Sequence, residues 1–199
     1  YSLWQVASVI TLALLAPWIA IGKSKRNIAV GIFLTTIVIG PLPVVLRLLE
    51  PYLGLSLFPV NGSDALWWLL LVHSCLLVSL GSLGFIFIGS MAMEIVEDVE
   101  NTTGRREEGL LGTVNAFIQK LVGAGGVLIA GLIVSWSGFD NPEATQEMLT
   151  GEIINRFAAV HVVIGFCLPI VSTLLVLKFN IDRKDHLTNV NDLGYVEKD

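Results

Sequence analysis

The sequence predicts an all-α polytopic membrane protein with five transmembrane helices. Three observations carry that expectation. Of 199 residues 54% are hydrophobic and only 15% are charged, against about a quarter charged in soluble domains. The mean hydropathy is +0.75. The charges are confined to short segments between long uncharged runs, so their placement says more than their sum of -5.

A bilayer core needs about 20 apolar residues per helix. Five stretches meet that length: 3–21, 28–46, 65–93, 109–139 and 157–177. Open strands are excluded at that depth because their backbone groups would lack partners. The third and fourth stretches exceed the minimum, which implies tilt or helix running beyond the hydrocarbon. Pro17, Pro41, Pro43 and Pro169 fall within spans, where neighbouring helices must satisfy the freed carbonyls. Cys75 and Cys167 lie in apolar runs and read as unpaired core thiols.

Basic residues set an orientation. With the turn at 22–27 inside, Lys23, Lys25, Arg26, Arg105, Arg106, Lys178, Arg183, Lys184 and Lys198 share one side, and only Arg47 and Arg156 the other. The C-terminus is then cytoplasmic in a plasma or inner membrane. Trp67, Trp68 and Trp136 fall near the outer span ends, as interfacial aromatics do. The loops 50–64 and 140–156 are rich in Pro, Gly, Asn and acidic residues, and each is too short for a domain. The chain thus divides into a bundle, 1–179, and a cytoplasmic tail, 180–199, whose polar composition and weak apolar periodicity predict disorder. Residue 1 is Tyr and the chain opens inside an apolar run, which reads as a fragment. Lys23, Lys25 and Arg26 follow the first run, whereas a signal peptide carries its charges before it.

Lys120 is the one formally charged residue well within a span. Counting from Gly109 at about 1.5 Å per residue places it some 16 Å deep, near the middle of a roughly 30 Å core. A cation there costs ~3 kcal/mol or more, so it must face a polar cavity or a carboxylate on another helix. Thr113, Ala116, Lys120, Ala124 and Gly131 share one helical stripe, and Asn115, Gln119 and Gly126 a neighbouring one. This polar face is either a site for an ion and solute or polar glue around a buried ion pair. No carboxylate lies at mid-span, so the partner is expected from a part of the protein not contained in this sequence.

His73 and His161 each stand alone in a span, without Cys, Asp or Glu at metal-ligand spacing, and read as hydrogen-bonded structural histidines. The glycines at 81, 84 and 89, and at 123, 125 and 126, read as close-packing surfaces. No nucleophile and base pair, phosphate loop or zinc spacing is found. Neither enzymatic activity, a cofactor, a resident metal nor a nucleic-acid partner is therefore expected.

The run Met91-Ala-Met-Glu-Ile-Val-Glu-Asp-Val-Glu-Asn-Thr-Thr-Gly-Arg-Arg-Glu-Glu-Gly-Leu110, continuing through Asn115-Ala-Phe-Ile-Gln-Lys120, resembles the segment before and into the penultimate helix of glycoside-pentoside-hexuronide cation symporters. These form the melibiose-permease branch of the major facilitator superfamily. Glu94 stands where that family usually has Asp, and Ala116 where melibiose permeases have Thr, a departure bearing on disaccharide specificity. Pro17-Trp18 with Gly22-Lys-Ser-Lys-Arg26 is similar to the turn after the family's eighth helix. The resemblance implies that the spans are helices eight to twelve of a twelve-helix fold, with a midplane cavity and cation-binding carboxylates in an N-terminal half. It implies symport of a sugar or glycoside with Na+ or H+. On that reading Lys120, Asn115, Gln119, Thr113 and Phe85 serve cation or solute, Phe85 by stacking on a sugar ring, and Glu94, Glu97, Asp98, Arg105 and Arg106 form a cytoplasmic gate. The alternatives are a lysolipid or other amphiphile carrier of the same fold and a non-transporting sensor or assembly subunit.

Overall fold

The computed structural model describes residues 2–60, 62–137, 151–181 and 183–193. Among these, seven helices and no strand form: α1 (Ser2–Ala20), α2 (Lys25–Ile39), α3 (Leu42–Leu53), α4 (Asp64–Thr103), α5 (Glu108–Ser137), α6 (Gly151–Val176) and α7 (Arg183–Asp192). α2 and α3 act as one broken span, so five units are long and apolar enough to cross a membrane. The chain is an all-α polytopic membrane protein.

α4 is central and packs on α1 and α2; α2 also packs on α6, and α5 lies against α6 and α4. The core between α1, α2 and α4 is small: Ala16, Ala29, Ile32, Leu83, Phe87 and Met91. Gly84 lets α4 approach α2, since a β-carbon there would lie 3.7 Å from Ile32 and 3.8 Å from Phe33. Gly81, Gly89, Gly123, Gly125 and Gly126 face open space instead, so the expected close-packing series reduces to one position. The contact that sequence reading missed is Gly165 on α6, 3.4 Å from Pro41 by the same measure.

Two prolines explain the break between α2 and α3. Pro41 and Pro43 lack the N–H groups that would bond the carbonyls of Ile37 and Ile39 four residues earlier. The Ile39 carbonyl is taken up by His73 on α4, whose Nε2–H donates to it at 2.9 Å. The structural reading of His73 thus has a specific partner. Gly40 closes α2 through its N–H to the Thr36 carbonyl at 2.8 Å. A β-carbon at Gly40 would sit 2.8 Å from that same oxygen, so the break requires glycine there.

Two elements differ from the sequence expectation, and a third follows it. The span ending at 46 continues as α3 to Leu53, with Pro51 inside, and Gly54 closes it in the left-handed conformation, its N–H bonding the Glu50 carbonyl at 3.1 Å. As the length of its apolar stretch implies, α4 runs past Met93 and carries its charged stretch on to Thr103, with Gly104 at φ 67° before α5 begins at Glu108. The tail expected to be disordered contains α7, which packs on α4. Apolar periodicity could not reveal α7, because polar bonds hold it: Asn189 donates to Asp98 at 3.1 Å and accepts from Asn101 at 2.9 Å. Of the expected core thiols, Cys75 is half-buried, Cys167 is exposed, and both are free. Phe139 and most of the 140–156 loop lie outside the described residues.

His73→Leu should lower thermal stability in detergent by about 1 kcal/mol, the scale of polar bonds between membrane helices, while His73→Gln, which keeps a donor, should recover part of it. An unchanged melting curve for His73→Leu would show that the Ile39 carbonyl does not need this partner.

Candidate functional site

Charged side chains gather at the end of the bundle where the α1–α2 turn, the end of α4 and α7 meet. Gly22, at φ 71°, makes the turn after α1. The turn then presents its basic residues to different elements. Lys25 Nζ lies 2.6 Å from Glu94 Oε1, and the Glu94 side chain is 7% exposed against 31% for Lys25. Arg26 donates to the carbonyl of Phe179, beyond α6, at 3.0 Å. The start of α2 is thereby tied to both α4 and the end of α6.

One helical turn along α4, Glu97 Oε2 lies 2.8 Å from His186 Nδ1 of α7, an ion pair when the imidazole is protonated. Both atoms are buried and neither has another partner among the described residues. Asp98 receives Asn189 as above. The expected gate residues are thus held by different elements. Arg106 bonds Glu100 at 3.3 Å and Glu108 at 3.0 Å, and Arg105 is exposed beside Thr103. Glu94, Glu97 and Asp98 of α4 turn to Lys25 and α7, a partnership without a spacing signal because the residues are far apart in the chain.

The mid-span candidates sit elsewhere. Thr113, Asn115, Gln119 and Lys120 are all exposed on α5, which buries none of its apolar window within the bundle. Thr113 bonds the Gly109 carbonyl at 2.8 Å, and Gln119 reaches Asn115 at 3.4 Å. Lys120 has no ion pair among the described residues. Phe85 is 72% exposed, pointing away from the face that carries Phe87, Met91 and Glu94 into the core. The two sets of candidates are therefore distinct: one closes an end of the bundle, the other lies open along its length. His161 lines an apolar cavity of about 540 Å³ with Val44, Val134 and Phe157. No group of three His, Cys, Asp or Glu able to hold a metal occurs among the described residues.

A family model described as MFS/sugar transport protein matches residues 1–183. The chain belongs to that family. Helix content, spans and family agree on a multi-pass membrane transporter that handles a small-molecule solute. No curated protein and no solved structure matches the chain.

For this transporter the Lys25–Glu94 pair gives a direct test. Lys25→Ala strands a buried carboxylate and should destabilise the protein by about 2 kcal/mol, less than a fully buried pair because Lys25 is part-exposed. Adding Glu94→Gln should restore most of the loss, read as thermal unfolding in detergent. Equal instability of single and double variants would mean that the pair contributes through packing alone.

Proposed function

We propose that this chain is part of a cation-coupled symporter, melibiose-permease-like, that moves a sugar or glycoside with Na+ or H+ by alternating access. The supporting observation is Lys120. It stands in a span otherwise free of charge, exposed beside Asn115 and Gln119 on a helix that its own bundle leaves uncovered. A cation at that depth calls for a carboxylate on a facing surface, which the first six helices of the twelve-helix fold would supply, with the five spans here as helices eight to twelve. Solute hydroxyls would meet Thr113, Asn115 and Gln119, and Phe85 would stack on the ring. Bound cation and solute together would favour the switch between outward- and inward-open states, and that difference in affinity couples their fluxes.

The charged end of the bundle, with Glu94, Glu97, Asp98, Arg105 and Arg106, would be the cytoplasmic gate. Its closure in this reading rests on Lys25–Glu94 and on α7, with Arg105 and Arg106 steadying the α4–α5 connection.

The coupling role of Lys120 is tested in the full-length transporter. Lys120→Ala should reach the membrane at near-normal levels yet lose cation-stimulated sugar uptake, and Lys120→Arg, with its larger planar head, should rescue poorly. Uptake is measured against cation concentration, with lysolipid as an alternative solute, and normalised to protein in the membrane. Normal coupling in Lys120→Ala refutes the assignment, and lysolipid uptake without sugar uptake moves it to the amphiphile carriers. Orientation is checked separately, on a background with Cys75 and Cys167 replaced. A cysteine at Ser24 should be labelled only after permeabilisation and one at Ser56 in intact cells; the reverse pattern inverts the topology.

A further inference from the structure

The basic turn has a third basic residue, Lys23, that neither of these contacts uses. Lys25 is taken by Glu94 and Arg26 by the Phe179 carbonyl, whereas Lys23 is exposed and its ammonium group has no partner among the described residues. It stands at the mouth of a cavity of about 580 Å³ running between α1 and α2. Beside it are two more polar groups, the amide of Asn27 and the hydroxyl of Ser24, which makes no capping bond to α2.

Below that mouth the groove changes character. Ile19 of α1, Ile28 of α2 and Leu80 of α4 form apolar walls. Gly31 leaves the floor open, since a β-carbon there would meet nothing within 4 Å. Thr35 closes the far end with its hydroxyl already bonded to the Gly31 carbonyl at 2.8 Å, so it asks nothing of an occupant. From Ser24 to Thr35 the helix rises about 16 Å, close to the depth of one leaflet.

A cationic and hydrogen-bonding mouth at the interface over an apolar trench one leaflet deep matches an amphiphile with an anionic head and an acyl tail. We infer that the α1–α2 groove binds an anionic phospholipid, its phosphate against Lys23, Ser24 and Asn27 and one acyl chain lying over Gly31. The inference rests on the membrane placement of α1 and α2, not on the transport reading, and it stands whatever solute is carried. Such a lipid would brace the turn that positions Lys25 and Arg26.

The test uses the full-length protein in nanodiscs and mixed micelles with phosphatidylglycerol in a phosphatidylcholine background, reading retained lipid by native mass spectrometry. The wild type should retain phosphatidylglycerol in preference to phosphatidylcholine. Lys23→Gln should cut that preference roughly fivefold, the worth of one lysine at an anionic surface, while Lys178→Gln, an exposed lysine at the same end of the bundle, should leave it unchanged. Gly31→Leu should fill the trench and abolish retention of the bound lipid with an unaltered melting curve, because the new side chain meets open space. Equal losses for Lys23→Gln and Lys178→Gln would mean diffuse attraction and overturn the site. Retention unaffected by Gly31→Leu would overturn it as well. So would displacement of the lipid by millimolar glycerol phosphate, which would make the site one for a free anion.

Discussion

Hydrocarbon offers no hydrogen bonds, and that constraint organises this bundle more than any single packing contact. It dictates helices throughout, and it shows most clearly where a helix is interrupted. Pro41 and Pro43 withhold two N–H groups inside one span, and the structure answers from outside that span, with the His73 ring on the Ile39 carbonyl and Gly165 of α6 closing on Pro41. The break is thus a junction of three helices rather than a local defect. Its residues are polar or small for a reason that their own segments do not contain.

The same logic, transferred to charge, governs the end of the bundle. Glu94 is almost fully enclosed, and a buried carboxylate is tolerable only with a cation at close range. Lys25 supplies it from a turn that begins with a left-handed glycine, while the neighbouring Arg26 reaches the end of α6. Two adjacent residues therefore hold α2 against two other helices. The extension of α4 past Met93 repeats the arrangement, presenting Glu97 and Asp98 to α7. The charges at this end assemble tertiary structure by their pairing.

How legible each feature was in the sequence follows from its range. Span number and helical class depend on apolar run length, a local property, and the sequence discloses them directly. Glu94 stands out in the sequence as one of the gate carboxylates, but its partner, Lys25, lies far back along the chain, where no spacing marks it. α7 has only Leu187 and Val190 as apolar residues among ten, so its docking through Asn189 and His186 left no periodic trace. Gly165 resembled any glycine in an apolar run, because the proline that it accommodates belongs to another span. The mid-span set on α5 was visible as a pattern of residue types. What the structure adds is that this pattern lies on a helix with almost no burial in its own bundle.

That last point links energetics to mechanism. A helix fixed by extensive contacts on every side would resist movement, whereas α5 leans on α6 and α4 and leaves Asn115, Gln119 and Lys120 open. On the proposed reading Lys120 is an amine at mid-depth, stable only when an opposing surface takes up its charge, so the surface facing α5 would be complementary in charge as well as shape. If that complement includes a carboxylate that also binds the coupling cation, arrival of the cation changes how strongly Lys120 is held. Occupancy of the site then alters the attachment of one face of the bundle to its counterpart, which is the physical requirement for a carrier whose two faces part and close in turn.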